Sequence, residues 1–256
     1  MHVRPGTGLV SVTFRKLSPR QVVEWTAQAG LEAVEWGGDI HVPAGDEAAA
    51  REVARITREA GLRVAAYGSY CRLGATGTPF EAALKSARAL GAPLIRVWAG
   101  AEGSVEAGEA GFRDVAAAAE AAAALARSEG MRLGLEYHAG TLTDTPASTA
   151  RLLEAVEDPA LVSFWQPPVG LSKGACLEGL NALVRRGRLG SLHVFHWWPD
   201  AQNRRPLAEG EDAWRTYLAA ARSAPGGRDY CLEFVRDDDP GMGLEDAAVL
   251  RRWLED

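Results

Sequence analysis

Short apolar runs alternate with longer amphipathic stretches along the whole chain. The runs are GLVSVTF (8–14), LEAVEW (31–36), LRVAAY (62–67), PLIRVW (93–98), MRLGLEY (131–137), LVSFW (161–165), SLHVFH (191–196) and DYCLEF (229–234). Each is short and bounded by turn or cap residues, as expected of strands buried on both faces. The stretches between them carry helix punctuation. Ser18-Pro19-Arg20-Gln21 reads as a capping box with proline in the first turn, and Thr78-Pro79-Phe80-Glu81 repeats the device. Asp46 and Thr145 stand where N-caps are needed, while Gly30, Gly61, Gly91 and Gly130 stop the periodic runs just before the next strand. The alanine-rich segment from about 106 to 129 is a strong helix former.

Eight strand-then-helix units in one chain of this length predict a (β/α)₈ TIM barrel, an α/β fold. A doubly wound open sheet is the alternative, but it usually carries a glycine-rich phosphate loop after the first strand, and SVTFRKLSP has none. The helix after LVSFW is the least regular, because LSKGACLEGLNALVRRGRLG contains several glycines and part of it reads as loop. No linker rich in proline, serine or charge divides residues 1–256, so a single barrel domain is expected.

Composition narrows the function classes. The 256 residues are 47% hydrophobic and 24% charged, ordinary globular proportions. A formal net charge of −6 provides no electrostatic footprint for nucleic acid and disfavours an anionic membrane surface. No apolar stretch is long enough to span a bilayer, and MHVRPGTG does not read as a secretory signal, so a soluble cytoplasmic protein is expected. Cys71, Cys176 and Cys231 are widely spaced without a CxxC pair, which supports neither a disulfide framework nor a zinc knuckle. Buried free thiols are expected, with Cys231, two residues before Glu233, the one to watch. No exposed stripe demands self-association, and a homo-oligomer stays open.

The candidate chemistry lies at strand ends. RLGLEYH and YCLEFVR each deliver a glutamate, Glu136 and Glu233, from an apolar run, where a charge is costly without a partner. SLHVFHW places His193 similarly, and two carboxylates with one imidazole suggest a single divalent metal site. In such barrels the active site is built at the carboxyl ends of the strands. Of five histidines, His41, His138, His193 and His196 fall at or just beyond those ends, leaving only His2 at the terminus. His138 follows Glu136 by two residues, so both face one cavity if the strand continues. His193 and His196 on a strand point to opposite sides, so only one is a ligand, and His193 is the more internal. Asp237, Asp238 and Asp239 read as a solvated acidic turn.

This ordered set resembles the xylose isomerase-like TIM-barrel superfamily, in particular its sugar phosphate isomerase/epimerase group. The likeness runs from TFRKLSP and GLEAVEWGGDIHVPAGD through IRVWAG to LEFVR, covering essentially the whole chain. It implies Mn²⁺, Mg²⁺, Co²⁺ or Zn²⁺ held by Glu, Asp, His and Glu, with Glu136, His193 and Glu233 in the first, third and fourth places. The second place departs: SFWQPPVG offers Gln166, with Trp165 as the alternative occupant. Glutamine can donate a carbonyl oxygen to a hard cation but removes one negative charge, so weaker metal binding is expected.

The resemblance implies a metal-dependent isomerase or epimerase of a small sugar-like hydroxy-carbonyl compound working through an enediolate, with Glu136 and Glu233 as the acid/base pair. Glu35, His41, Trp98, His138, His196 and Arg205 are the expected substrate contacts. Arg204, beside Arg205, and the strand-end tryptophans Trp36, Trp165, Trp197 and Trp198 are further candidates, with plugging of the barrel mouth as the tryptophans' alternative role. A dehydratase on the same scaffold and a non-catalytic sugar-binding barrel are the rival readings. An abasic-site endonuclease would need more metal ligands and a basic surface than this chain carries.

Overall fold

The structure, a computed structural model, describes residues 6–255. Eight parallel strands, β1 (Gly6–Val10), β2 (Ala33–Gly37), β3 (Arg63–Arg72), β4 (Leu94–Trp98), β5 (Arg132–Glu136), β6 (Leu161–Trp165), β7 (Leu189–Val194) and β8 (Asp229–Leu232), follow one another round a closed barrel. The seam is β1 against β8, with Gly8 opposite Cys231 and Leu9 opposite Leu232. Helices α1 (Pro19–Gln28), α2 (Glu47–Glu59), α3 (Phe80–Leu90), α4 (Gly108–Ser128), α5 (Pro146–Ala155), α6 (Lys173–Arg185), α7 (Glu211–Arg222) and α8 (Pro240–Glu255) return the chain to the start of each next strand.

The cap signals resolve differently at each helix. Ser18 and Gln21 form the reciprocal capping box on α1, and Asp46, Thr145 and Ser172 accept from backbone N–H groups opening α2, α5 and α6. The Thr78 box does not form. Pro79 is itself the residue before α3, with no side-chain cap, so α3 relies on packing of Phe80, Ala83, Ala87 and Leu90. The glycine-bearing stretch after β6 is loop to residue 172 and then a regular helix, whose buried stripe of Cys176, Leu180 and Leu183 outweighs the cost of its glycines. The first apolar run is only half strand, because Ser11–Phe14 turn into a short 3₁₀ helix.

Most of the apolar core lies between barrel and helices. The barrel lumen is filled sparingly, by Val10, Val12, Ala33, Ala65 and Cys231 in one group and Ala66, Leu94, Val162 and Phe164 in another. Phe164 reaches so far across that a Cβ on Gly134 would collide with its ring, which is why β5 carries glycine there. Above this layer the lumen turns polar. A Cβ on Gly68 would lie 2.8 Å from both Arg96 Nη2 and Glu35 Oε1, so the glycine on β3 vacates room for an ion pair inside the barrel. Trp165 faces the other way, edge-on to Trp214 and Tyr217 of α7. Among the described residues no helix is long and apolar enough to cross a membrane.

Candidate active site

Strands β5 to β8 each bring one side chain to the carboxyl end of the lumen. Glu136 is the last residue of β5, and Thr143 Oγ1 donates to its backbone carbonyl, pinning the strand end. Gln166 follows β6 and is stopped by Pro167 and Pro168. His193 lies inside β7, and Glu233 extends β8 by one rung, its N–H donating to Val194 O at 3.0 Å. Immediately afterwards Phe234 takes a positive φ of 47°, an uncommon conformation for a side-chain-bearing residue, and its N–H is held by Thr13 Oγ1 at 3.1 Å. That bend ends β8 right behind the glutamate.

The imidazole organises the group. His193 Nε2 is 2.8 Å from Glu35 Oε2, and its Nδ1 is 3.2 Å from Gln166 Oε1, 3.4 Å from Glu233 Oε2 and 3.7 Å from Glu136 Oε1. Glu136, His193 and Glu233 each present a ligand atom within 4.8 Å of the others, and all three are buried. The Gln166 amide is oriented by its own Nε2, which donates to Tyr137 O at 2.6 Å and so turns Oε1 to the centre. Gln166 Oε1 therefore stands among the acceptors around His193 Nδ1, whereas Trp165 turns to α7.

Behind these residues lies a buried ion-pair rung. Arg96 Nε donates to Glu35 Oε1 at 2.7 Å and Nη1 to Glu136 Oε2, with Arg96 3% and Glu35 0% exposed. Trp98 Nε1 also donates to Glu136 Oε2, at 2.5 Å. Glu35 thus bridges Arg96 and His193, while Arg96 bridges Glu35 and Glu136. Burial alone would raise both carboxyl pKa values. It is outweighed by His193 and Arg96 at Glu35 and by Arg96 at Glu136, so both acids are held below their ordinary range. Burial opposes the charged imidazole too, yet Glu233 and Glu35 push His193 well above its usual pKa.

The donor set fits a divalent cation. A cation that displaces the proton from His193 Nδ1 would meet that nitrogen and three oxygen acceptors, with no donor among them. Such convergence is stable only around a positive charge. Three carboxylates, Glu35, Glu136 and Glu233, against the Arg96 guanidinium leave two negative charges once His193 gives up its second proton to act as a ligand, matching a dication. Glu136 Oε1, Gln166 Oε1, His193 Nδ1 and the Glu233 carboxylate would hold it.

Above the centre opens a cavity of about 460 Å³ whose lining includes Glu136, His138, Gln166, Glu233, Trp98 and Trp197. Glu136 and His138 share it as their spacing of two predicts. His138 Nδ1 is tied to Ala139 O at 2.6 Å, and its ring lies 4.9 Å from that of Trp98.

Four expected substrate contacts lie elsewhere. Glu35 is fully buried beneath the centre and meets His193 and Arg96 instead of the cavity. His41 is consumed by Ser11 Oγ at 2.9 Å and Leu17 O at 3.0 Å, a buried clip that fastens the β2–α2 loop to the segment after β1. His196 points away from His193 to Gly210, where an added Cβ would lie 2.7 Å from its Nδ1. Arg205 pairs with Glu209 at 2.9 Å outside this lining. A Cβ on Gly38, at the end of the same loop, would lie 2.6 Å from Tyr67 Oη, in the core. Of the tryptophans, Trp98 and Trp197 line the cavity, Trp36 and Trp165 are buried, and Trp198 is 62% exposed. All three cysteines are buried free thiols, and burial pushes the Cys231 thiol well above its ordinary pKa. His2 lies outside the described residues.

Arg96 is the functional residue that sequence reasoning missed. Its signal was present: an arginine inside PLIRVW is as costly unpaired as a glutamate inside RLGLEYH. Tyr70, Thr143 and Asp144 also line the cavity without having been singled out.

A profile of the family described as a xylose isomerase-like TIM barrel matches residues 23–253. No curated protein matches the chain in sequence. Among solved structures, the probable 3-DHS dehydratase AsbF of Bacillus anthracis superposes with a TM-score of 0.78 at 20% identity, covering 96% of this chain and 98% of the other. The D-allulose 3-epimerase of Methylomonas sp. gives 0.72 at 14% identity, covering 98% of each chain. A xylose isomerase-like TIM-barrel protein of Mycobacterium smegmatis in complex with magnesium gives 0.67 at 14% identity, covering 99% and 97%.

Proposed function

The chain belongs to the xylose isomerase-like TIM-barrel family, and from that premise we propose that it is a divalent-metal-dependent isomerase or epimerase of a small sugar-like hydroxy-carbonyl compound. The observation that carries the reading is the convergence of Glu136, Gln166, His193 and Glu233 on one buried point at the floor of an open cavity. A divalent ion bound there supplies polarisation of the substrate's carbonyl and neighbouring hydroxyl, which acidifies the hydrogen on the carbon between them.

The chain's own residues divide the remaining work. Glu136 has Oε2 occupied by Arg96 and Trp98, which leaves Oε1 for the ion and makes it a weak base. Glu233 lines the cavity, and among the described residues the charged side chain paired with it is His193 at 3.4 Å, so its second oxygen is free to take and return a proton. The acid/base pair is therefore unequal: Glu233 is the stronger base and can move a proton on its own face, which suffices for isomerisation, whereas epimerisation also needs Glu136 to deliver the proton to the opposite face. Glu35 fixes the imidazole, and Trp98 and Trp197 wall the cavity so that a sugar's apolar face can pack against an indole.

The magnesium named with the Mycobacterium smegmatis structure and the epimerase named for Methylomonas sp. support this reading. A dehydratase is the second reading, supported by the likeness to AsbF, and it uses the same proton removal followed by loss of a β-hydroxyl. The test is incubation with Mn²⁺ and candidate ketoses in deuterated water. Deuterium at the carbon beside the carbonyl with unchanged elemental composition otherwise supports isomerisation or epimerisation, loss of one water supports the dehydratase, and no exchange in any ketose refutes both.

A further inference from the structure

We propose that the amino-terminal mouth of the barrel, opposite the catalytic cavity, binds a phosphate group, free or carried by a small metabolite, between Arg63 and Arg132. A hollow of about 540 Å³ opens there. Gly6, Arg63, Arg132 and Asp229, the first residues of β1, β3, β5 and β8, line it, and the lumen residues Ala65 and Leu94 floor it. Above that floor Val162 and Phe164 fill the lumen, so nothing bound here reaches the catalytic centre, and the proposal stands apart from the proton-transfer reading. Strand starts in such barrels ordinarily serve stability, for which opposite charges would pair off. Here they do not.

Three arginines, Arg63, Arg132 and Arg228, share the hollow with two acids, Glu32 and Asp229. Asp229 is already occupied: it accepts from Arg63 Nη2 at 2.8 Å and from Nη1 at 3.4 Å. A Cβ on Gly6 would collide with both partners, so β1 opens with glycine to admit that pair. The Arg63 Nε edge has no acceptor among the described residues, and Glu32, which accepts from Thr7 N at 3.3 Å, forms no ion pair among them. Arg228 supplies charge without donors, because Nη1 donates to Ala221 O and Nη2 to Pro225 O at 2.8 Å, closing the carboxyl end of α7. The Arg132 side chain is different, with no hydrogen bond or ion pair among the described residues. Burial pushes both Arg132 and Arg228 below the ordinary guanidinium range, and the charge of Arg132 adds to the depression at Arg228. Two like charges in one partly desolvated hollow, with the nearby carboxylate held by a third arginine, are relieved by an anion. The open fork of Arg132 facing the free edge of Arg63 suits the several oxygens of a phosphate. The hollow falls within the size range of small-molecule sites and holds more than the bare ion, so a phosphorylated metabolite fits as well.

The experiment is calorimetric titration of the full chain with inorganic phosphate and with glycerol 3-phosphate, each with and without Mg²⁺, against sodium chloride at matched ionic strength. Thermal unfolding follows the same additions. A chain of net charge −6 repels phosphate in general, so saturable uptake at one site marks a local field of the opposite sign. The expectation is such binding, equal with and without Mg²⁺, with a rise in the unfolding midpoint that chloride does not reproduce. Arg132→Gln should weaken it by about tenfold or more. The variant removes no protein contact of that side chain, so its fold is kept. Glu32→Gln, which keeps an oxygen for Thr7 N, should tighten it severalfold by removing a like charge from the rim. Tighter binding of glycerol 3-phosphate assigns the site to a metabolite, and tighter binding of inorganic phosphate assigns it to the free ion. Absence of saturable binding, binding only in the presence of Mg²⁺, or native affinity in Arg132→Gln overturns the proposal.

Discussion

Replacing Gln166 by aspartate restores the charge that the family pattern places at this corner, with opposite effects on the metal-bound and metal-free protein. In the native chain the Gln166 oxygen sits 3.2 Å from His193 Nδ1, in the group of acceptors that would surround the ion. A new unit charge about 4 Å from each unit of cation charge is worth about 4 kcal/mol at an effective dielectric near 20. Desolvating a carboxylate in a buried site returns a large part of that. A net gain of about 1.5 to 3 kcal/mol corresponds to about ten- to hundredfold tighter Mn²⁺ binding. The metal-free protein should move the other way. The substitution removes the Nε2–H that satisfies Tyr137 O and adds a carboxylate beside Glu136 and Glu233, which costs about 1 to 3 kcal/mol of stability. Calorimetric titration with Mn²⁺, alongside thermal unfolding with and without the ion, reads both effects. Equal or weaker binding in Gln166→Asp refutes the placement of Gln166 in the ligand set, whatever happens to activity.

Three further outcomes are expected from the same geometry. Glu233→Gln should eliminate deuterium exchange while the protein still takes up metal, and exchange at the native rate would return the proton-moving role to Glu136. Glu35→Gln should weaken Mn²⁺ binding by about 10- to 100-fold through loss of imidazole orientation, although Glu35 never meets the cavity; native affinity there would show that the Glu35–His193 bond is dispensable. Asp246, buried on α8 and accepting from Leu207 N at 2.8 Å, has its carboxyl pushed by burial up to about 6 from 3.8. The folded state then holds a proton that the unfolded state has lost between about pH 4 and 6, so stability falls as pH rises through that window. Asp246→Asn should flatten that slope and raise stability near pH 7 by about 1 to 2 kcal/mol, as read from urea midpoints across pH.

The barrel was legible because its signals are local. Apolar runs, the Ser18 box and the glycine stops at 30, 61, 91 and 130 act over a few residues, and the eight strands fall on the eight runs. Glu136, His193 and Glu233 were legible for a related reason: a polar group inside an apolar strand demands a partner wherever the chain ends up. Arg96 obeys the same logic, but the long stem of an arginine can carry its charge from an apolar strand to solvent, so only the fold decides that it stays buried. Glu35, His41 and His196 were placed correctly along the chain and wrongly in space. Strand-end position does not reveal whether a side chain turns to the cavity or to its neighbours. That depends on partners such as Ser11 Oγ, the Leu17 carbonyl and Gly210, far away in sequence. Asp144 lies in a loop, where no periodicity announces direction, and the enclosure of its Oδ1 is visible only in three dimensions.

The rung formed by Glu35 and Arg96 also constrains how this barrel can change by descent. Losing either member alone leaves the other in the lumen with one partner fewer, Arg96 with Glu136 or Glu35 with His193, at a cost of up to about 3 to 5 kcal/mol, a large share of a typical domain's stability. Losing both together removes two opposite charges and leaves a smaller deficit. The two positions, 61 residues apart, are therefore bound to a common fate. A lineage that abandons one must abandon the other almost at once, whereas the walls of the cavity can be rewritten one residue at a time.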